Sequence, residues 1–323
     1  MAQTAENRPK GFNNLANVGS NAIAIAEKAS VTTLQFTSEC AMHNIPPLPE
    51  LCFAEIPTAS QHRYVGDRFS YMESGRRDAD PVLLLHGIGG NSLYWRFQFA
   101  GLADQFRLIA WNAPGYFLTE NLRTETPSAR DYADALCDFA SAVGVAHFAV
   151  IANSFGTRVA QCFAHYYPGR ISCAVFTGTS LLSESPDDRA RDLAARAKMI
   201  ERGAYAFSER ATALLGSSAS ADTLALAQQT MRATNPSGFM QASRFVNGDD
   251  MPTPGSGLTM PLLMIQGDQD RVTPVEANAA RLTAVVSGAR IVMLSGIGHL
   301  PEIEAPQVFN ELAEQHFRSG KPA

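Results

Sequence analysis

Little in this sequence suits metal chelation, disulfide stapling or membrane insertion. Its 323 residues hold 5 cysteines, Cys40, Cys52, Cys137, Cys162 and Cys173, each standing alone. An odd count without any C-x-x-C pair argues against a zinc ribbon and against a disulfide framework. Reduced thiols in a cytoplasmic protein are expected instead, with no metal. No apolar run approaches the roughly 20 residues of a membrane span. The N-terminus lacks the charged stretch and apolar run of a secretory leader. Lys and Arg number 26 against 31 Asp and Glu, a net charge of -5, so there is no basic field to gather nucleic acid. The charged share, 18%, is also modest.

What is there is apolar. Hydrophobic residues make up 46% of the chain, and the length permits a sizeable core in one large domain or two modest ones. Residues 1–60 differ from the rest. Residues 22–38 have helical spacing without a strong apolar stripe, and Asn44-Ile45-Pro46-Pro47-Leu48-Pro49 must be extended or turn. This segment is expected to be an appended N-terminal arm, either a tail or a docking or oligomerisation segment.

From Tyr64 a regular alternation begins. Short apolar runs at residues 69–72, 81–85, 107–111, 148–151, 171–176, 261–266 and 290–294 read as strands. Runs such as Val82-Leu83-Leu84-Leu85 are apolar on both faces, as a sheet covered on both sides requires. Residues 129–142 and 155–167 read as helices between strands. The alternation predicts an α/β fold with a mostly parallel central sheet flanked by helices. Residues 183–250 contain no strand candidate and show helical spacing at 190–200, 204–215 and 221–233. They read as a helical cap inserted late in the sheet, between core segments 61–182 and 251–323.

Four stretches carry chemistry. In Ala152-Asn153-Ser154-Phe155-Gly156 a buried strand runs into a helix with a serine at the junction. Small residues two positions away on each side suit a sharp turn that exposes the serine hydroxyl. Alternatively, Ser154 simply caps the helix. His86-Gly87-Ile88-Gly89-Gly90 is a glycine-rich loop after a strand, able to turn backbone N–H groups toward a developing oxyanion. The N–H groups of Ile88 and Phe155 are the expected donors, and His86 reads as structural. Gly267-Asp268-Gln269-Asp270 places two carboxylates after a strand, and Gly296-Ile297-Gly298-His299 places a histidine after the last one.

Serine, acid, histidine, each after a strand end, is the order of the α/β-hydrolase triad. The chain from about Tyr64 to Phe317 resembles the α/β-hydrolase superfamily of capped esterases and lactonases. His86-Gly87-Ile88-Gly89 matches that family's H-G-x-G. Gly298-His299-Leu300-Pro301-Glu302-Ile303-Glu304-Ala305-Pro306 matches G-H-x-P-x-x-E-x-P. The resemblance implies Ser154 as nucleophile, His299 as general base and Asp270, or failing that Asp268, as the acid that orients it. It implies a small-molecule substrate and no cofactor.

There are departures. The family's D-x-x-G-x-G-x-S becomes Asn112-Ala113-Pro114-Gly115-Tyr116-Phe117-Leu118-Thr119, and the first elbow glycine is Ala152. A serine at 154 argues against relatives whose nucleophile is an aspartate, the epoxide hydrolases and haloalkane dehalogenases, and the leading expectation is a carboxylic ester or lactone. The alternatives are a carbon–carbon bond hydrolase of ring-cleavage products, a cofactor-free oxygenase or perhydrolase, and a binding protein. Leu300 stands where carbon–carbon hydrolases tend to carry an aromatic residue. Pro236-Ser237-Gly238-Phe239-Met240-Gln241-Ala242 resembles the cap end of enol-lactonase-like members. Tyr94, Trp95, Tyr116 and Phe155 are candidate pocket walls, and Arg158 is a candidate anion contact. The oligomeric state is open.

Overall fold

Strands that are apolar on every residue need cover on both faces, and the molecule supplies it. The computed structural model describes residues 26–28, 31–34 and 45–320. Among these residues ten strands form one sheet: β1 (Ala26–Lys28), β2 (Val31–Leu34), β3 (Leu51–Glu55), β4 (Arg68–Ser74), β5 (Pro81–Leu85), β6 (Arg107–Trp111), β7 (Phe148–Asn153), β8 (Ile171–Thr177), β9 (Leu262–Gly267) and β10 (Arg290–Leu294). Their order is β1-β2-β10-β9-β8-β7-β5-β6-β4-β3. The run from β10 to β6 is parallel, and β4 and β3 close one edge antiparallel.

The helices are α1 (Arg96–Leu102), α2 (Ala129–Ala142), α3 (Phe155–Tyr166), α4 (Pro186–Glu201), α5 (Gly203–Ser208), α6 (Ala211–Leu214), α7 (Ala221–Arg232), α8 (Pro236–Val246), α9 (Ala279–Val285), α10 (Pro301–Glu304) and α11 (Pro306–Ser319). Side chains alternate across each strand. Leu83, Leu85, Ile109 and Trp111 therefore pack with α2, α3 and α9 on one face. Val82, Leu84, Leu108 and Ala110 pack with α1 and α11 on the other. Helix α2 begins where its capping box dictates: Ser128 Oγ accepts from Asp131 N, and the Asp131 carboxylate accepts from Ser128 N at 2.8 Å.

The seven expected strands are all present. Three expectations need correction. Residues 22–38, read with helical spacing, contain β1 and β2 instead, and β2 pairs in parallel with β10. The β-branched run Val31-Thr32-Thr33 suits a strand, and the open edge of β10 offers it unpaired backbone groups. The arm was also expected to extend to residue 60. Yet β3 pairs along its length with β4, from Leu51 opposite Met72 to Glu55 opposite Arg68, so residues 51–55 belong to the sheet. Residues 1–25, 29–30, 35–44 and 321–323 lie outside the described residues.

The third correction concerns the helical segment between β8 and β9. The helix expected over 204–215 is two, α5 and α6. Ser208 Oγ donates to Tyr205 O at 2.6 Å, and Glu209 and Arg210 N–H donate to Ala206 and Phe207 carbonyls, closing the first helix in a tight turn. Helix α8 was not foreseen as a helix. Asn235 caps it, accepting from Ser237 N at 2.9 Å, with Pro236 at its first position.

Candidate active site

Ser154 sits between β7 and α3 with φ 52° and ψ -112°, a conformation that a residue with a Cβ adopts only under constraint. Strain of this kind costs about 1–3 kcal/mol and persists where the surroundings impose it. Here Ser154 N–H donates to Thr177 O at 2.9 Å, and its carbonyl accepts from Thr157 N at 2.9 Å. Its side chain makes no capping hydrogen bond to α3, which disposes of the helix-cap reading. A methyl on Gly156 would collide with the Leu85 carbonyl, so the small residue there answers to close approach between α3 and β5. Ala152, where a glycine was the usual residue, is fully buried, and the sharp junction forms with it in place.

His299 and Asp270 meet. His299 Nδ1 lies 2.8 Å from Asp270 Oδ2, and both residues are buried. Asp270 is itself held. Its Oδ1 accepts from Val272 N and Thr273 N at 2.8 and 3.0 Å, and its Oδ2 accepts from Thr273 Oγ1 at 2.7 Å. Burial pushes the Asp270 carboxyl up, but His299 and the Thr273 donors outweigh it, holding the group below the usual carboxylate range. For His299, burial disfavours the charged ring. The Asp270 charge and hydrogen bond outweigh that, and Glu302 and Glu304 add to them, so its pKa is raised. A proton on Nδ1 directed at Asp270 leaves Nε2 as the free nitrogen.

The histidine loop is clamped from several elements. His299 N donates to Leu214 O at 2.7 Å, and Asn153 Nδ2 donates to His299 O at 3.2 Å. Glu304 accepts from Gly216, Gly298 and Leu300 N–H. Gly178 flanks the ring, at φ +47°, and a methyl there would lie 2.5 Å from His299 Cε1. Thr273, Asn153, Gly178 and Leu214 were not singled out from the sequence. The spacing of Thr273 three residues after Asp270 was a readable signal, since such a pair closes a side-chain-to-backbone turn. Nothing in the sequence marked the other three.

The fallback acid, Asp268, lies elsewhere. It is exposed and accepts from Gly296 N at 2.7 Å and Ser295 Oγ at 3.0 Å, tying two loops together. His86 is buried, with Nδ1 2.9 Å from Gly87 O and Nε2 accepting from Ala113 N at 3.1 Å. Burial brings its pKa down to about 4, so it is a neutral brace. Asn112 also braces, accepting from Ser92 N at 2.7 Å and donating to Ser70 Oγ at 2.9 Å. Phe117, in the place of a glycine, holds φ 50°.

Two cavities meet at Ser154. The first, about 330 Å3, is bordered by Ser154, His299 and the Gly87–Gly90 loop, with Met199, Phe207, Met231, Phe239 and Leu300 as apolar walls. The second, about 670 Å3, is bordered by Ser154, Ile88, Phe155 and Arg158, and also by Ser180, Arg189 and Arg281. The expected oxyanion donors, Ile88 and Phe155, border this second cavity together with Ser154. Phe155 opens α3, so its N–H has no partner within the helix.

Tyr94 borders the first cavity, and its hydroxyl donates to Glu302 Oε1 at 2.7 Å. Two other expected walls are not walls. Trp95 is fully buried in the core beyond β5, edge-on to Tyr94 at 5.2 Å. Tyr116 is fully buried between His86 and Phe155, with ring centroids 4.8 and 6.1 Å away. Both large rings fill the core, an outcome the sequence could not distinguish from lining a pocket.

Comparison with known proteins agrees with this architecture. RutD of Escherichia coli, a putative carbamate hydrolase, is 24% identical over 244 residues, covering 73% of this chain and 90% of its own. A thermophilic esterase from Thermogutta terrifontis superposes with a TM-score of 0.71 at 20% identity, covering 84% of this chain and 100% of that one. The enol-lactonase of Burkholderia xenovorans superposes with a TM-score of 0.67 at 19% identity, covering 79% and 98%. Among the described residues, no helix is long and apolar enough to cross a membrane. With the family model for the alpha/beta hydrolase fold matching residues 80–306, the chain belongs to that family.

Proposed function

We propose that the protein is a serine hydrolase that cleaves a carboxylic ester or lactone. The observation that carries this reading is a strained, uncapped serine facing the same cavity as a histidine whose far nitrogen is held by a buried carboxylate. In the proposed cycle Ser154 Oγ attacks the carbonyl carbon as its proton passes to His299 Nε2. The N–H groups of Ile88 and Phe155 receive the negative charge that develops on the carbonyl oxygen. The imidazolium, stabilised by Asp270, returns its proton to the departing alkoxide, leaving an acyl-enzyme. Water then gives a proton to His299 and attacks the acyl carbon, and the acid is released as Ser154 recovers its proton.

Helices α4 to α8 act as the cap in this reading, since α4, α5, α7 and α8 supply Met199, Phe207, Met231 and Phe239 to the first cavity. The four described cysteines are free, which supports a reducing, cytoplasmic setting. A fluorophosphonate probe tests the chemistry directly. One adduct mapped to Ser154 and absent in His299→Ala is the expected result. Folded protein that takes no adduct, and cleaves none of a panel of short esters and lactones, removes the proposal.

A further inference from the structure

One buried cation in the cavity that reaches Ser154 has no carboxylate within ion-pair distance among the described residues, and the Asp192 carboxylate acts on it only from farther off. Arg158 lies four residues beyond Ser154 and is 5% exposed. Its Nε donates to Ser180 Oγ at 3.0 Å, Nη1 has no hydrogen-bond partner, and no carboxylate among the described residues pairs with it. The other arginines bordering the same cavity are neutralised: Arg189 by Asp249, Arg196 by Asp192 and Arg281 by Glu184. Burial draws the Arg158 guanidinium down to about 9, still charged at neutral pH. A buried charge without a partner is costly, and this one borders a 670 Å3 cavity that reaches Ser154. The first cavity shares Asp192 and Arg196 with the second but adds Met and Phe walls, and its further arginines, Arg210 and Arg271, which form no ion pair among the described residues, are exposed.

We propose that the substrate carries a carboxylate, and that Arg158 binds it in the second cavity while the scissile carbonyl sits at Ser154. This rests on the serine-hydrolase reading. A guanidinium suits a carboxylate because its planar fork presents parallel donors. Four residues along a helix rise about 6 Å, a span that a chain of about three to four carbons bridges. Selection arises because a neutral group of the same shape leaves the buried cation unpaired.

The test compares esters that differ only in this charge. Mono-p-nitrophenyl glutarate carries the carboxylate on the acyl side, and 4-acetoxybutyrate carries it on the alcohol side. Each is set against its methyl-masked counterpart, with aryl or acetyl release as the readout. In at least one pair the native protein should favour the charged ester at least tenfold in kcat/KM, the preference shrinking with added salt. In Arg158→Gln the charged-to-masked ratio should fall at least tenfold, and in Arg158→Lys by less. Should the glutamine variant not fold, Ser180→Ala, which frees Nε, should lower the ratio several-fold. Turnover of the masked esters with no preference in either pair overturns the inference and leaves the hydrolase reading standing, as does a ratio unchanged in the variants. No turnover of any ester, with no probe adduct on Ser154, removes both.

Discussion

Helices α3 and α4 both border the second cavity, and they are built differently. Every residue of α3 from Phe155 to Ala164 is buried, whereas Ile200 is the one buried residue of α4. Helix α3 is wedged between the sheet, α2 and the aromatic cluster of Tyr132 and Phe245 around Phe155. Helix α4 is tied instead by polar contacts, Arg189 to Asp249 and Asn247 to Asp192. Burial of apolar surface contributes about 25 cal/mol per Å2, while an exposed ion pair contributes about 0–1 kcal/mol. The proposed nucleophile, at the start of α3, is thus fixed by packing, and the α4 wall facing it is held by polar contacts near the surface.

Ser154→Ala should leave the thermal midpoint nearly unchanged but lower kcat by roughly three to six orders of magnitude, because the other groups act only through the serine. A well-folded variant with near-native ester turnover would place the chemistry elsewhere. Asp270→Asn comes next, with an expected loss in kcat of roughly 10^3–10^4. Asp270 stabilises the charged ring and raises the His299 pKa, so native activity should rise with pH through a midpoint above the ordinary histidine value. Removing the charge should move that midpoint down in a kcat/KM profile. An unmoved or upward-shifted limb contradicts the pairing.

Smaller effects test the packing side. Ser154→Gly should remove activity yet raise the denaturation free energy by about 1 kcal/mol, because glycine accepts φ 52° without strain. Urea titration decides it, and a destabilised variant would show that the elbow stores no strain. The smallest change is expected in α4. Arg189→Ala should cost less than about 1 kcal/mol, and the amides of α4 should exchange with deuterium sooner than those of α3. Equal protection in the two helices would contradict the proposed division.

Much of the site was legible because chemistry restricts residue type locally. Ser154, Asp270 and His299 each follow a strand and sit in short glycine-bearing turns, so their positions could be read from neighbouring residues. Trp95 and Tyr116 show the opposite case. An aromatic residue beside a catalytic loop has the same local sequence whether it faces the cavity or the core, and both turned inward. The edge strands were misread for a related reason. Four residues of Val31-Thr32-Thr33-Leu34 carry too little periodicity to identify a strand until β10 presents its open edge.

The sequence by itself determined the alternation of strands and helices, the two-sided burial of β5 and β9, and the identity of the triad candidates. These depend on side-chain period and on turns a few residues long. Only the tertiary structure decided that Asp270 rather than Asp268 meets His299, that Gly178 and Leu214 frame the ring, and that Arg158 has no carboxylate within ion-pair distance among the described residues. Those outcomes depend on distances between segments far apart in the chain, and such distances are set when the helices pack against the sheet.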